Sequence, residues 1–279
     1  MCGINNKLYL QAISFPEELT ISSTSEIIHR IGFRNLSSIK SMFLCDLQDP
    51  YLSSDPWLPS TLQTLEVRSS KILVSLQLQP NLSSLWKLRI MNCSKLTNVV
   101  GLQNLNSLEE LVITNCPELL FSQSDHLPSS LHTLRVTDCK SLRFLPQLHQ
   151  SMSAFQMLKL SNCSRHANLC GPSDVGDCPE YVPSLDKQLR LSCLSSNLQN
   201  VHISHCGKLS ALAGLQYLIS LERLEIKRCP RLQINPDEFL PCRPQHVEIT
   251  DCPRLRGWCK KYQLRYTQVL FLLHPRSFC

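Results

Sequence analysis

The feature that most constrains the fold of this chain is an apolar motif that returns about every 23 residues, within the range of known repeat proteins. Each copy has an apolar central residue, followed two positions later by Ile, Leu or Val. The central residues are Leu19, Met42, Leu65, Leu88, Leu111, Leu134, Leu158, Val201, Leu224 and Val247. Their spacing is regular, except for one interval of nearly twice the length between Leu158 and Val201. A chance apolar run does not hold such a register, so the chain is built from repeated structural units.

The repeated unit reads L-x-x-L-x-I-x-x-C-x-x-L, which is the pattern of a leucine-rich repeat. In L-x-I the two apolar residues face one side and the residue between them faces the other, which predicts a short strand. Strands of successive units pair about 4.8 Å apart and bury a common core. We therefore predict an α/β leucine-rich-repeat solenoid, a horseshoe. Its concave face is a parallel β-sheet, and its convex face consists of irregular loops or short helical turns.

Several units also occur twice at longer range. Residues 95–119 match residues 208–232 without a gap. The same displacement along the chain relates Asp138 and Cys139 to Asp251 and Cys252. Tandem duplication of several units explains this pattern.

The chain contains 15 cysteines, and many of them stand at one position of the unit, just after the predicted strand. These are Cys93, Cys116, Cys139, Cys163, Cys206, Cys229 and Cys252. Disulfides, a metal and a structural role compete to explain them. We predict a structural role, in which buried, reduced thiols point inward in parallel and do not aim at each other. Asn or Asp precedes five of the seven, which suits a tight bend.

The repeat sets the expected domain organisation. We predict an uncapped N-terminal segment over residues 1–14, the repeat domain of about ten units over 15–260, an irregular insertion at 164–193 and a C-terminal tail over 261–279. The end of the chain either caps the last unit, through Trp258 and Leu264, or frays. No signal peptide is visible, and the late apolar run of five residues is far shorter than the ~20 of a membrane span. We therefore expect a cytoplasmic protein.

The units "LPSSLHTLRVTDCKSL", "LNSLEELVITNCPELL" and "LISLERLEIKRCPRL" resemble the C-terminal repeats of plant nucleotide-binding leucine-rich-repeat (NBS-LRR) disease-resistance proteins. The likeness covers about residues 15–260 and includes the C-P-x-L turns. It implies recognition of a pathogen effector or a host protein in innate immunity. The phosphate loop G-x-x-x-x-G-K-[ST] of that family is absent, so we expect no nucleotide binding.

Two other functions compete with this interpretation. A ubiquitin-ligase substrate receptor also carries such repeats, but it needs an F-box-like helical segment, for which residues 1–14 are too few. A zinc-dependent enzyme would have to use Cys163, His166, Cys170 and Cys178, whose spacing fits no established zinc pattern. His202 and His205 lack a visible third partner, and no catalytic motif is recognisable. We therefore expect no enzymatic activity, no cofactor and no metal.

The concave face is the predicted binding surface, because alternation directs the polar residues of every strand toward it. The candidate protein-binding residues are Arg68, Lys87, Arg89, Arg135, Lys159, His202, Arg223 and Lys227. In the middle of the face, Arg89, Arg135 and Lys159 have no acid on their own strands. This favours an acidic surface on a protein partner. A net charge of +6 is too small to indicate nucleic acid.

Overall fold

A computed structural model describes residues 17–22, 37–52, 58–121, 126–142, 152–163, 188–191, 196–241 and 244–267. Its strands, in chain order, are β1 (Glu18–Ser22), β2 (Ser41–Cys45), β3 (Tyr51–Leu52), β4 (Thr64–Arg68), β5 (Ser75–Gln77), β6 (Lys87–Met91), β7 (Asn98–Val100), β8 (Glu110–Thr114), β9 (Thr133–Thr137), β10 (Met157–Ser161), β11 (Gln188–Arg190), β12 (Asn200–Ser204), β13 (Ala211–Ala213), β14 (Arg223–Lys227), β15 (Gln233–Ile234), β16 (His246–Thr250) and β17 (Tyr266–Thr267). Eleven of these form one sheet, in the order β1-β2-β4-β6-β8-β9-β10-β12-β14-β16-β17.

This main sheet is parallel throughout and pairs equivalent residues of successive units. Leu111 of β8, for example, lies beside Leu88 of β6 and Leu134 of β9. In most strands the second and fourth residues are buried and the others face outward, as alternation requires. The buried residues form one continuous core. The predicted leucine-rich-repeat solenoid is confirmed.

The turn after each strand explains why cysteine recurs there. The residue before each of the seven cysteines has a positive φ of 51–57°, a left-handed conformation that Asn and Asp tolerate better than most residues. Beyond this bend the thiol turns back and donates to the carbonyl two residues earlier, over 3.3–3.5 Å. Ser70 does the same toward the Arg68 carbonyl and also accepts the Leu47 N–H at 3.0 Å. A small side chain with one weak donor therefore fits this place.

All seven thiols are buried and free, as the repeat predicts. Each of the seven S–H groups is directed at a backbone carbonyl. Neighbouring thiols nevertheless influence each other's ionisation, as between Cys93 and Cys116, because the parallel register sets equivalent residues about 4.8 Å apart. The sulfur of Cys252 also accepts the backbone N–H of Cys229 at 3.4 Å. Burial raises the pKa of the Cys139 thiol to about 11, so that thiol is protonated and unreactive at neutral pH.

The return side of the solenoid carries more strand than the sequence predicts. Two three-stranded parallel sheets lie there, in the orders β3-β5-β7 and β11-β13-β15. Short 3-10 helices at Leu102–Asn104 and Leu215–Tyr217 supply the expected helical turns. Strand β11 comes from the end of the 164–193 insertion and pairs with β13. The insertion's residues 164–187, 192 and 193 lie outside the described residues, as do His166, Cys170 and Cys178 of the zinc alternative.

The C-terminal end of the solenoid is covered by a short helix. The chain passes through a 3-10 helix, Pro253–Leu255, into helix α1, Arg256–Lys261, and then into β17, which extends the main sheet beyond residue 260. Trp258 of α1 is buried, and Leu264 packs against the core. The segment 1–14 and the tail beyond Thr267 lie outside the described residues. Among the described helices, none has the length and apolar character that a membrane span requires.

Candidate functional site

The middle residues of the main-sheet strands form a single row across the concave face. Parallel register places each of them beside its equivalent on the next strand. We call this the central row. In order, it contains Thr20, Phe43, Glu66, Arg89, Val112, Arg135, Lys159, His202, Glu225 and Glu248. The charges along this row decide what the surface can bind.

The N-terminal part of the face neutralises its own cations. The Arg68 guanidinium lies 2.7 Å from the Glu66 carboxylate, and its charge also sits 5.7 Å from the centre of the Phe43 ring. Lys87 binds Glu110 on the neighbouring strand at 2.7 Å. Both candidate cations of this part are therefore already paired within the protein.

The middle of the row carries three cations without an ion pair among the described residues, which are Arg89, Arg135 and Lys159. We call these three residues the basic centre. Arg89 has a buried Nε atom with no hydrogen-bond partner in the described part of the chain. The Arg135 guanidinium lies 3.6 Å from the Met157 sulfur. Arg135 and Lys159 stand directly beside each other, an arrangement of like charges that destabilises a sheet.

The side chains around Arg135 and Lys159 on strands β8 to β10 are mostly uncharged, whereas Arg89 lies directly beside Glu66 on the central row. On the row toward the strand ends, Thr114, Thr137 and Ser161 lie side by side in register. Val112 separates Arg89 from Arg135 on the central row. Arg135 and Lys159 therefore present positive charge over a floor of hydroxyl, methyl and thioether groups, whereas a partner at Arg89 also meets the neighbouring Glu66 carboxylate.

The C-terminal part of the face is an ion-pair network centred on Glu225. Its carboxylate lies 2.8 Å from His202 Nδ1 and 3.4 Å from both Arg223 and Lys227. Lys227 also binds Glu248 at 2.7 Å. We call these five residues the C-terminal network. The charges of its two acids and two permanent cations sum to zero, so this part of the face carries no uncompensated charge.

The network shifts the ionisation of its members. Burial alone would raise the pKa of Glu225, but the His202 hydrogen bond and the Lys227 ammonium outweigh it and leave that pKa below its usual value. The hydrogen bond from Lys227 lowers the pKa of Glu248, and the same bond raises the pKa of Lys227. All three groups are charged at neutral pH as a result.

A metal could in principle use part of this network. Glu225, His246 and Glu248 each offer one ligand atom, and these atoms lie within 4.8 Å of one another. Lys227 Nζ, however, already binds both carboxylates, and Arg223 binds one of them. A divalent cation would have to displace an ammonium group and remain beside it. The arrangement therefore suits an internal ion-pair network better than a metal centre.

The eight candidate residues thus separate into two groups. Acids of the same or a neighbouring strand bind Arg68, Lys87, His202, Arg223 and Lys227. Among the described residues, no acid forms an ion pair with the three residues of the basic centre. The sequence analysis missed the role of Glu225 and the proximity of His246. Counting acids on the neighbouring strand as well as on the same strand would have identified most of these pairs, because the register is regular.

The zinc alternative gains no support from the one ligand that the structure describes. Cys163 is buried in the core, and its sulfur lies 3.5 Å from the Ser161 carbonyl and 3.7 Å from that of Val136. His205, the second histidine that the sequence offered, lies in the left-handed turn, 3.1 Å from the Arg228 guanidinium. Neither residue is placed for catalysis.

Comparison with known proteins adds little to this site. No family model matches the chain, and no curated protein matches it. Among solved structures, the chain is similar to a plant peptide hormone receptor, RGFR1 in complex with RGF2, at 17% sequence identity and a TM-score of 0.36. The similarity covers 91% of this chain and 46% of the receptor, so the chain spans less than half of that protein's length. At this identity and score, two proteins need not share a function.

Proposed function

We propose that this solenoid is a protein-binding module whose basic centre binds an acidic surface of a partner protein. The observation that carries the proposal is the contrast along the central row. Cations on both sides of the centre are neutralised internally, whereas Arg89, Arg135 and Lys159 have no ion pair in the described part of the chain, and Arg135 stands beside Lys159. Such uncompensated repulsion is relieved when a partner supplies the missing carboxylates.

The proposed context is plant innate immunity in the cytoplasm, with a pathogen effector or a guarded host protein as the partner. The support for this context is the resemblance of the repeat wording and of the C-P-x-L turns to plant disease-resistance proteins. The proposal includes no catalysis, no cofactor and no nucleic acid. The concave face is then a recognition surface, and any signalling chemistry belongs to other polypeptide segments or proteins.

Affinity capture with paired variants tests this function. The full chain is immobilised and exposed to extracts of healthy and infected plant tissue, beside a variant that combines Arg89→Glu, Arg135→Glu and Lys159→Glu. We expect acidic proteins to be retained by the parent and lost by this variant, with retention that falls as salt rises. A retained protein is then purified, and its direct binding is measured.

The matched control combines Lys71→Glu, Lys95→Glu and Lys140→Glu, because these lysines are exposed in the turns after β4, β6 and β9 and not on the concave face. It changes the net charge as much as the triple variant does. Equal retention by the parent and the triple variant would refute the concave surface as the binding site. A retained set drawn only from housekeeping proteins of healthy tissue would refute the immune context and leave the surface assignment standing.

A further inference from the structure

We infer that the partner segment on the basic centre is an acidic amphipathic α-helix that lies across strands β6, β8, β9 and β10, roughly perpendicular to them. This inference rests on the proposed function and names the shape of the partner at the same site. Three observations carry it, which are the spacing of the three cations without an ion pair among the described residues, the uncharged side chains around Arg135 and Lys159, and the length of the strands.

The spacing of the cations matches a helix. Neighbouring strands lie about 4.8 Å apart, so Arg89 and Arg135 are separated by roughly 9.6 Å and Arg135 and Lys159 by about 4.8 Å. A helix rises 1.5 Å per residue, which sets positions i and i+7 at roughly 10.5 Å and positions i+7 and i+11 at about 6 Å. Acids at i, i+7 and i+11 share one face. The second lies within about 1 Å of Arg135, and the third overshoots Lys159 by about 2 Å, which is within reach of the lysine side chain.

An extended segment matches less well. Its residues on one face recur about every 6.6 Å, because each residue advances about 3.3 Å. An acid beside Arg89 would place the next two at about 6.6 and 13.2 Å, whereas Arg135 lies near 9.6 Å and Lys159 near 14.4 Å. Such a segment reaches Lys159 but misses Arg135 by about 3 Å.

The floor also suits a helix with mixed acidic and apolar residues. Position i+4 of the helix lies opposite Val112, which is the one uncharged residue between the cations of the central row. Met157 and the hydroxyls of Thr137 and Ser161 flank the row without adding charge. Each strand of five residues spans about 16 Å, which is enough for a helix of 10–12 Å diameter to rest on it.

Three labelled peptides of equal length and equal net charge test the inference by fluorescence anisotropy with the full chain. The first is a lactam-stabilised helix with Glu at i, i+7 and i+11 and Leu at i+4. The second is the same helix with the three Glu moved to the opposite face. The third places Glu at alternate positions of an extended, proline-containing chain. We expect the first peptide to bind roughly tenfold more tightly than either of the others, the worth of about one charged contact.

Variants separate this inference from the proposed function. Arg135→Glu and Lys159→Glu should each weaken the first peptide roughly tenfold, whereas Lys95→Glu should not. Equal affinity for all three peptides, or no saturable binding of the first, overturns the helix. If Arg135→Glu still weakens the extended peptide, the acidic-partner function survives that result. Equal weakening by Arg135→Glu and Lys95→Glu would show that only total charge matters, and would overturn both.

Discussion

The two copies of the duplicated segment, residues 95–119 and 208–232, share their interior and differ on their surfaces. Leu111 and Leu224 are both fully buried at the centre of a strand. Gly101 and Gly214 both have a left-handed φ, of 93° and 87°, and each begins a 3-10 helix of three residues. The residues that build the interior of the solenoid are therefore the same in both copies.

The exposed positions of the two copies changed. On the concave face, Glu110, Val112 and Thr114 of the first copy correspond to Arg223, Glu225 and Lys227 of the second. Strand β8 of the first copy therefore lies between the cations of the basic centre, whereas strand β14 of the second copy supplies the middle of the C-terminal network. In the loops, exposed Asn104 and Asn106 correspond to Tyr217 and Ile219, which are 53% and 64% exposed. The comparison teaches that the repeat fixes the scaffold and leaves the surface free to diverge.

The largest expected effect tests the shared interior. Leu111→Ala and Leu224→Ala each remove a fully buried side chain and should lower the free energy of unfolding by about 2–5 kcal/mol. Leu111 lies between Leu88 and Leu134, whereas Leu224 lies between Val201 and Val247, so the two losses should agree only within the spread of about 2 kcal/mol of such truncations. Urea unfolding of both variants beside the parent measures them. A loss confined to one copy would break the equivalence.

A smaller effect tests the shared turn. A Cβ atom added to Gly101 would lie 2.3 Å from the Leu78 carbonyl oxygen, at a φ that L-residues rarely adopt. Gly101→Ala should therefore cost at least about 1–3 kcal/mol, and Gly214→Ala should cost a similar amount. Gly207→Ala is the control, because a Cβ there meets nothing within 4 Å, and it should change the thermal midpoint little. Comparable losses at Gly101 and Gly207 would refute the turn geometry.

The next prediction concerns a contact seen in the second copy. The Glu238 carboxylate accepts the N–H groups of Gly214 and Leu215 at 2.9 Å, at the start of the 3-10 helix. Glu238→Ala should destabilise the chain by about 1 kcal/mol, as the loss of a helix cap does. The exposed neighbour Asp237 provides the control variant Asp237→Ala, expected within about 0.5 kcal/mol of the parent. Equal losses would show that the carboxylate is not a cap.

The pH dependence of stability should distinguish the two concave strands. The pKa of Glu225 is lower in the folded protein than its usual value of 4.5. Its contribution to stability is therefore complete above pH 4.5 and is lost as the pH falls through the folded pKa. Glu225→Val introduces the residue that the first copy has at the equivalent position, Val112. In this variant the thermal midpoint should decrease less steeply as the pH falls below 4.5. An unchanged slope would show that other carboxylates control acid unfolding.

The smallest effect is expected in the loops. Tyr217→Asn combined with Ile219→Asn converts the second loop to the sequence of the first, and both side chains are largely exposed. The free energy of unfolding should stay within about 0.5 kcal/mol of the parent value, because exposed positions contribute little to packing. A loss above about 1 kcal/mol in urea unfolding would show that these side chains pack against the protein.

The parts of the structure that the sequence predicts are those that repeat. Leu134 recurs at a fixed place in a long register, so its strand, its orientation and its parallel neighbours follow from periodicity alone. Short strands such as β7, with three residues, give too brief a pattern to be recognised. They form because the main sheet brings the return segments of successive units side by side.

The candidate site was predictable only in outline. That Arg135 faces outward follows from alternation, and its position beside Lys159 follows from the regular parallel register. Which acid a cation chooses depends on side-chain rotamers, as in Lys227, which binds Glu248 more closely than Glu225. The contact between the Cys229 N–H and the Cys252 sulfur likewise depends on the distance between units, which a single unit does not reveal.

The parallel register has a consequence for how such a gene can change. The two copies lie four strand steps apart in the main sheet, from β8 through β9, β10 and β12 to β14. Unequal recombination between the two copies deletes or duplicates the segment that runs from a point in one copy to the equivalent point in the other. The strands that become neighbours at the junction have their apolar residues at the same positions. The deletion removes Arg135 and Lys159 together, and the reciprocal product carries both twice. One such event therefore removes or doubles two of the three cations of the basic centre and leaves Arg89 in place, and the strands at the new junction still match in register.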